Sequence, residues 1–134
     1  MGKTQLMLVA CVLCLTGGSI SAHHSFAAEF DINKPVSLTG TVTRVEWTNP
    51  HAWIYLDVKL NDGKLANWSV ETGGPNSLYR LGWKKDAVTP GDTITVLGYQ
   101  AKNGSNTANA RAITLRDGRK LGAGSSAGNE TPQQ

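Results

Sequence analysis

The sequence predicts an all-β domain, a five-stranded OB-like barrel with one short helix between strands 3 and 4. Three observations predict it. Apolar residues alternate with polar ones in five separate stretches, as on strands with one buried face. Turn-forming pairs such as Asp62-Gly63 separate those stretches. The one segment with helical spacing falls after the third stretch and before the fourth. A short β-sandwich or a meander with an incidental helix is the alternative architecture.

The barrel is expected over residues 36–120 of the 134-residue chain. Residues 1–22 read as a secretory signal peptide. Lys3 supplies a positive start, Leu6 to Leu15 is an apolar run too short to span a bilayer, and small residues follow up to Ala22. Cleavage after Ala22 makes His23 the mature N-terminus, and cleavage after Ser21 makes Ala22 the first residue. Leu8-Val9-Ala10-Cys11 resembles a lipoprotein processing box, but it cuts the apolar run in half, and the short segment before it argues against lipidation. The expected place of action is the periplasm or the exterior. Cys11, Cys14, Met1 and Met7 are all of the chain's cysteines and methionines, and all lie in the segment removed. The mature domain therefore has no disulfide and no sulfur ligand for Cu(I).

Residues 23–35 form an arm. Phe26 and Phe30 are four apart, as on one helical turn, and Pro35 ends the segment. The first strand, Val36 to Trp47, changes phase: Leu38, Gly40 and Val42 share one parity, Val45 and Trp47 the other. Such a change predicts a β-bulge or bend near Thr43-Arg44, and Gly40 permits tight coiling. Asn49-Pro50 is a turn signal. In the second strand, Ala52, Ile54, Leu56, Val58 and Leu60 are predicted inward, and Trp53, Tyr55, Asp57 and Lys59 outward. Asp62-Gly63 turns the chain into the third strand, Leu65 to Glu71, with Ala66, Trp68 and Val70 inward. Thr72-Gly73-Gly74-Pro75 breaks the sheet, and Asn76 to Gly82 is the expected helix. Thr93 to Tyr99 and Thr107 to Arg116 are the fourth and fifth strands, joined by the Gly- and Asn-rich loop Ala101 to Asn106. Residues 121–134 lack an apolar period and read as a disordered tail.

Thirteen basic and ten acidic side chains give a net charge of +3, which is not the balance of a nucleic-acid-binding domain. No Gly-x-Ser-x-Gly elbow, phosphate loop or marked carboxylate pair is present, so an enzyme is not expected. The three histidines carry the sharpest chemical hint. His23 and His24 stand at the expected mature N-terminus, and His51 at the first hairpin tip. An α-amine with two imidazoles makes a nitrogen site suited to Cu(II), and secondarily Zn(II). With the cut after Ser21, His24 becomes the third residue and suits a square-planar Cu(II) or Ni(II) site. Fully extended, the arm reaches about 43 Å, enough to fold back along the first strand to His51.

A second candidate is the OB ligand face, the exterior of strands 2 and 3 between two rim loops. It predicts Trp53 and Tyr55 on the face, Asn49 and His51 on one rim, and Lys102, Asn103 and Asn106 on the other. The partner would be a small ligand, a protein or a glycan. The plainer expectation is that Phe26 covers Trp53 and Tyr55, that His23 and His24 are solvated, and that His51 caps a turn. Arg111, Arg116, Arg119 and Lys120 read as a solvated strand edge.

Several segments resemble a family of small bacterial exported proteins known as domain of unknown function 6152. They include His23-His24-Ser25-Phe26-Ala27-Ala28-Glu29-Phe30-Asp31, Leu38-Thr39-Gly40-Thr41-Val42 and Trp47-Thr48-Asn49-Pro50-His51. Pro75-Asn76, Gly82-Trp83, Pro90-Gly91-Asp92 and Asp117-Gly118 are similar as well. The resemblance implies export and supplies no activity, so it assigns no functional residue.

Overall fold

The computed structural model describes residues 26–125. Its elements are α1 (Phe26–Glu29), β1 (Phe30–Glu46), β2 (Trp53–Lys59), β3 (Leu65–Glu71), α2 (Pro75–Arg80), β4 (Thr93–Ala101), β5 (Thr107–Thr114) and β6 (Lys120–Gly122). The protein is mostly β, with six strands in one sheet in the order β3-β2-β1-β4-β5-β6. All neighbours in that order are antiparallel. A further parallel pairing joins β3 to β5, Ser69 opposite Thr107 and Glu71 opposite Asn109, so five strands form a ring.

β1 is long because it serves two neighbours. Its first part pairs with β4 from Phe30 to Thr41, and its second part pairs with β2 from Gly40 to Glu46. Gly40 belongs to both ladders, opposite Val58 and Ile94. A Cβ there would come within 2.6 Å of the Asp57 carbonyl oxygen, so the close approach of strands needs glycine. The expected bulge is at Thr43: Val42 pairs with Leu56 and Arg44 with Tyr55, leaving Thr43 as the extra residue. Past it, Val45 and Trp47 pack against the core from the opposite parity.

The alternation in β2 and β3 buries Ile54, Leu56, Trp68 and Val70 inside the ring, with Val42, Ile94, Val96 and Ile113 facing them. Each fully buried Leu, Ile or Val side chain contributes about 1.5–3 kcal/mol by leaving water. Leu60, expected inward, is 44 % exposed, because β2 ends at Lys59 and Leu60 begins the turn. Leu78 of α2 and Trp83 are buried in the same core, the Trp83 Nε1 donating to the Gly122 carbonyl at 2.8 Å.

The boundaries differ from expectation in two places. The arm's helical turn is present as α1, but β1 begins directly after it at Phe30, so Pro35 lies within β1 opposite Tyr99 instead of ending the arm. Phe26 and Phe30 stack on each other, and Phe26 meets the Tyr99 ring edge-on at 5.6 Å. Those three and Ala101 form a separate small core, so the arm anchors on β4. The sheet also continues past residue 120, since β6 pairs with β5 through Lys120, Leu121 and Gly122. Three residues are too short to show an alternation, so no sequence period marks this strand. Among the described residues no helix is long and apolar enough to cross a membrane.

Candidate functional site

The loop between β1 and β2 is held from below by the end of β3. The Ala52 N–H donates to the Gly73 carbonyl at 3.2 Å, and the Thr72 N–H returns to the Ala52 carbonyl at 3.0 Å. The buried Thr72 hydroxyl donates to that same carbonyl at 3.1 Å. Within the loop, the Thr48 hydroxyl donates to the His51 carbonyl at 3.1 Å, and the Asn49–Pro50 peptide bond is cis. Pro50 lies so close to Gly74 that a Cβ there would stand 2.5 Å from the Pro50 carbonyl oxygen. The two glycines read from sequence as a sheet breaker thus seat this loop. Trp47 ties it to α2, its Nε1 donating to the Tyr79 hydroxyl at 3.2 Å.

The seating brings His51 onto Glu71. Imidazole Nδ1 is 2.7 Å from carboxylate Oε1. His51 is half-exposed, whereas Glu71 is 7 % exposed at the end of β3. The amide of Asn109, 1 % exposed, donates to the same carboxylate oxygen at 3.5 Å from β5, and its Oδ1 is buried without a hydrogen-bond partner among the described residues. A buried carboxylate gripping one ring nitrogen fixes the plane of the imidazole and leaves Nε2 as the nitrogen for an incoming ligand.

His51 and Glu71 line a cleft of about 350 Å³ together with Glu29, Glu46, Asn49 and Trp53. Glu29 belongs to α1, so one residue of the arm lines the same cleft as His51. His23 and His24 lie outside the described residues. Among the described residues no group of three or more His, Cys, Asp or Glu could hold a metal ion.

A second cleft of about 400 Å³ adjoins it, lined by Glu29, Trp53, Lys102, Asn103, Ser105 and Thr107 among others. Trp53, half-buried, borders both clefts. The structure therefore gathers Asn49, His51, Trp53, Lys102 and Asn103 around adjoining clefts. It does not bring Tyr55 or Asn106 there. Arg44 lies over the Tyr55 ring at 3.9 Å, and the Tyr55 hydroxyl donates to Glu46 at 3.2 Å. Burial pushes the Tyr55 phenol upward, the Glu46 charge adds to that, and Arg44 opposes it. Asn106 is exposed and offers its carbonyl to the Ser69 N–H at 2.9 Å. The expected basic edge is divided: Arg116 pairs with the buried Asp92 and Arg119 with Asp117, while Arg111 borders a separate groove beside Tyr99.

Glu71 and Asn109 are the site residues that sequence reading missed. In sequence Glu71 is one of several scattered carboxylates. The usable signal was the Asp62-Gly63 turn: counting outward from it sets Trp53 opposite Glu71, two residues from His51. Asn109 needs the β3–β5 pairing, which no local pattern reveals.

No curated protein matches this chain. Among solved structures it is similar to one described as the crystal structure of a complex of TiaS with an isoleucine tRNA and ATP, at 20 % identity and a TM-score of 0.44. That match covers 60 % of this chain and 18 % of the other, and it supports no conclusion about fold or function. A model described as "Family of unknown function (DUF6152)" matches residues 10–110, and the chain belongs to that family.

Proposed function

We propose that this protein is a small exported domain with an OB-type barrel that binds a divalent metal, Cu(II) before Zn(II), and has no catalytic activity of its own. The barrel reading is supported by the ring of five strands, its parallel β3–β5 closure and the short helix between β3 and β4. Export to the periplasm rests on the apolar N-terminal segment.

One observation carries the metal reading: Glu71 holds His51 Nδ1 at 2.7 Å, an arrangement that orients a ligating imidazole and raises its basicity. Glu29 in the same cleft supports a contribution from the arm. His24 is five residues before Glu29, and five residues reach at most about 17 Å. Removal of the signal peptide creates an α-amine beside His23 and His24. Amine and imidazole nitrogens, with carboxylates nearby and no sulfur, suit Cu(II).

The experiment starts from protein secreted with its native N-terminus, established by mass spectrometry. Calorimetric titration with Cu(II) should give one tight site per chain. Affinity should fall at least about tenfold in His51→Ala and in the His23→Ala, His24→Ala double variant. Unchanged affinity in His51→Ala contradicts the proposal.

A further inference from the structure

The cleft beside the β4–β5 loop has a different chemistry from the His51 cleft. Its one large aromatic wall with any exposure is Trp53; Phe30, the other ring, is buried. Around Trp53 stand short polar side chains, Asn103, Ser105 and Thr107, with Lys102 and Glu29 adding one charge of each sign.

The β4–β5 loop is held in shape by its own hydrogen bonds. The Gln100 amide donates to the carbonyls of Gly104 and Ser105 at 3.1 and 2.9 Å. The Ser105 N–H donates to Asn103 Oδ1 at 2.9 Å, and the Lys102 N–H donates to the Glu29 carbonyl at 2.9 Å. Preorganisation of this kind lowers the entropic cost of binding.

Two ligand classes are disfavoured. A peptide adding as a strand needs a free sheet edge, and here β2 pairs with β3 at Trp53–Glu71 while β3 pairs with β5 at Ser69–Thr107. A nucleic acid brings phosphates, and Glu29 lies inside this cleft with Glu46 and Glu71 in the adjoining one. Neutral saccharides fit what remains. The C–H face of a pyranose ring is slightly positive and packs on the negative face of an indole, while its hydroxyls both donate and accept. A volume of about 400 Å³ is at the small end of ligand pockets and suits a sugar ring, not an extended chain.

We infer that the cleft between Trp53 and the β4–β5 loop binds one hexopyranose unit of a neutral glycan, independently of any metal at His51. The test uses the full mature chain treated with EDTA, titrated separately with cellotriose, chitotriose and maltotriose and followed by tryptophan fluorescence and saturation-transfer NMR. At least one saccharide should bind with Kd below about 1 mM, and Trp53→Ala should weaken it by about tenfold or more. Should Trp53→Ala fail to fold, Trp53→Phe and Asn103→Ala carry the test, the latter on an exposed loop, and each should weaken binding by at least about threefold. The inference is overturned if none of the three binds at about 10 mM, if the variants bind as the parent does, or if a single-stranded oligonucleotide binds more tightly than every saccharide. Binding that persists in EDTA separates this site from the metal site, whose failure would leave the saccharide result intact.

Discussion

His51 Nδ1 and Glu71 Oε1 stand 2.7 Å apart, joining the first interstrand loop to the buried end of β3. The pair is asymmetric: the imidazole is half-exposed and the carboxylate is almost wholly out of water. A contact of this kind stabilises the fold and also aims a ring nitrogen. His51→Ala removes the imidazole from a buried carboxylate and should lower stability by about 1–3 kcal/mol, measured as a reduced urea midpoint at unchanged m-value. Glu71→Gln should weaken Cu(II) binding by about 10- to 100-fold, the usual effect of losing a carboxylate that supports a ligating histidine.

Gly74 controls where His51 sits. A methyl at this position meets the Pro50 carbonyl at 2.5 Å and Asn49 Oδ1 at 3.3 Å, so Gly74→Ala must displace the loop. We expect a loss of about 1–3 kcal/mol together with weakened Cu(II) binding. Gly63→Ala is the control. Its positive φ of 82° makes alanine strained, yet nothing lies within 4 Å of the added methyl and the turn is remote from the cleft. It should cost stability and leave Cu(II) affinity unchanged.

Asp92 is a structural carboxylate in the turn before β4 and lines neither cleft. It is 8 % exposed and accepts from the Thr89 N–H at 2.9 Å, the Thr89 hydroxyl at 3.2 Å and Arg116 Nη1 at 3.3 Å. Its own carbonyl accepts from the Val42 N–H at 2.8 Å, which pins the turn beside the bulge. Asp92→Ala should cost about 1–3 kcal/mol by thermal or urea unfolding. Arg116→Ala should cost less than about 1 kcal/mol, because that guanidinium is largely in water.

Tyr55 gives a pH signature. Its phenol ionises above the ordinary value of 10.0, chiefly through burial and then through Glu46. The fold therefore holds the proton more tightly than the unfolded chain does. The stabilisation is fully present below pH 10 and is lost as pH rises through the folded-state value. The absorbance difference between parent and Tyr55→Phe, followed near 295 nm, should show a midpoint above 10. A midpoint at or below that value contradicts the placement of Tyr55 beside Glu46.

The strand framework was legible because its signals are local. The phase change between Val42 and Val45 announced the Thr43 bulge, and the Asp62-Gly63 turn fixed the β2–β3 register. The His51 loop was legible through Asn49-Pro50 and its aromatic flanks. Glu71, which holds His51, and Asn109, which bonds Glu71, were not, because they come from β3 and β5 and meet only when the ring closes at Glu71 opposite Asn109. What covers Tyr55 was not legible, for a related reason. Alternation assigns it to the exterior but says nothing of Arg44, which the bulge turns onto its ring. The arm's docking on Tyr99 is likewise a long-range contact between positions far apart in sequence.

The central claim is that His51 ligates a metal through the ring nitrogen that Glu71 leaves available. Pulsed EPR of the Cu(II)-loaded mature protein reads imidazole coordination directly, through couplings to the remote ring nitrogen. The account predicts imidazole couplings from more than one histidine, with the His51 contribution lost in His51→Ala and the remainder kept. A spectrum identical in parent and His51→Ala would contradict it.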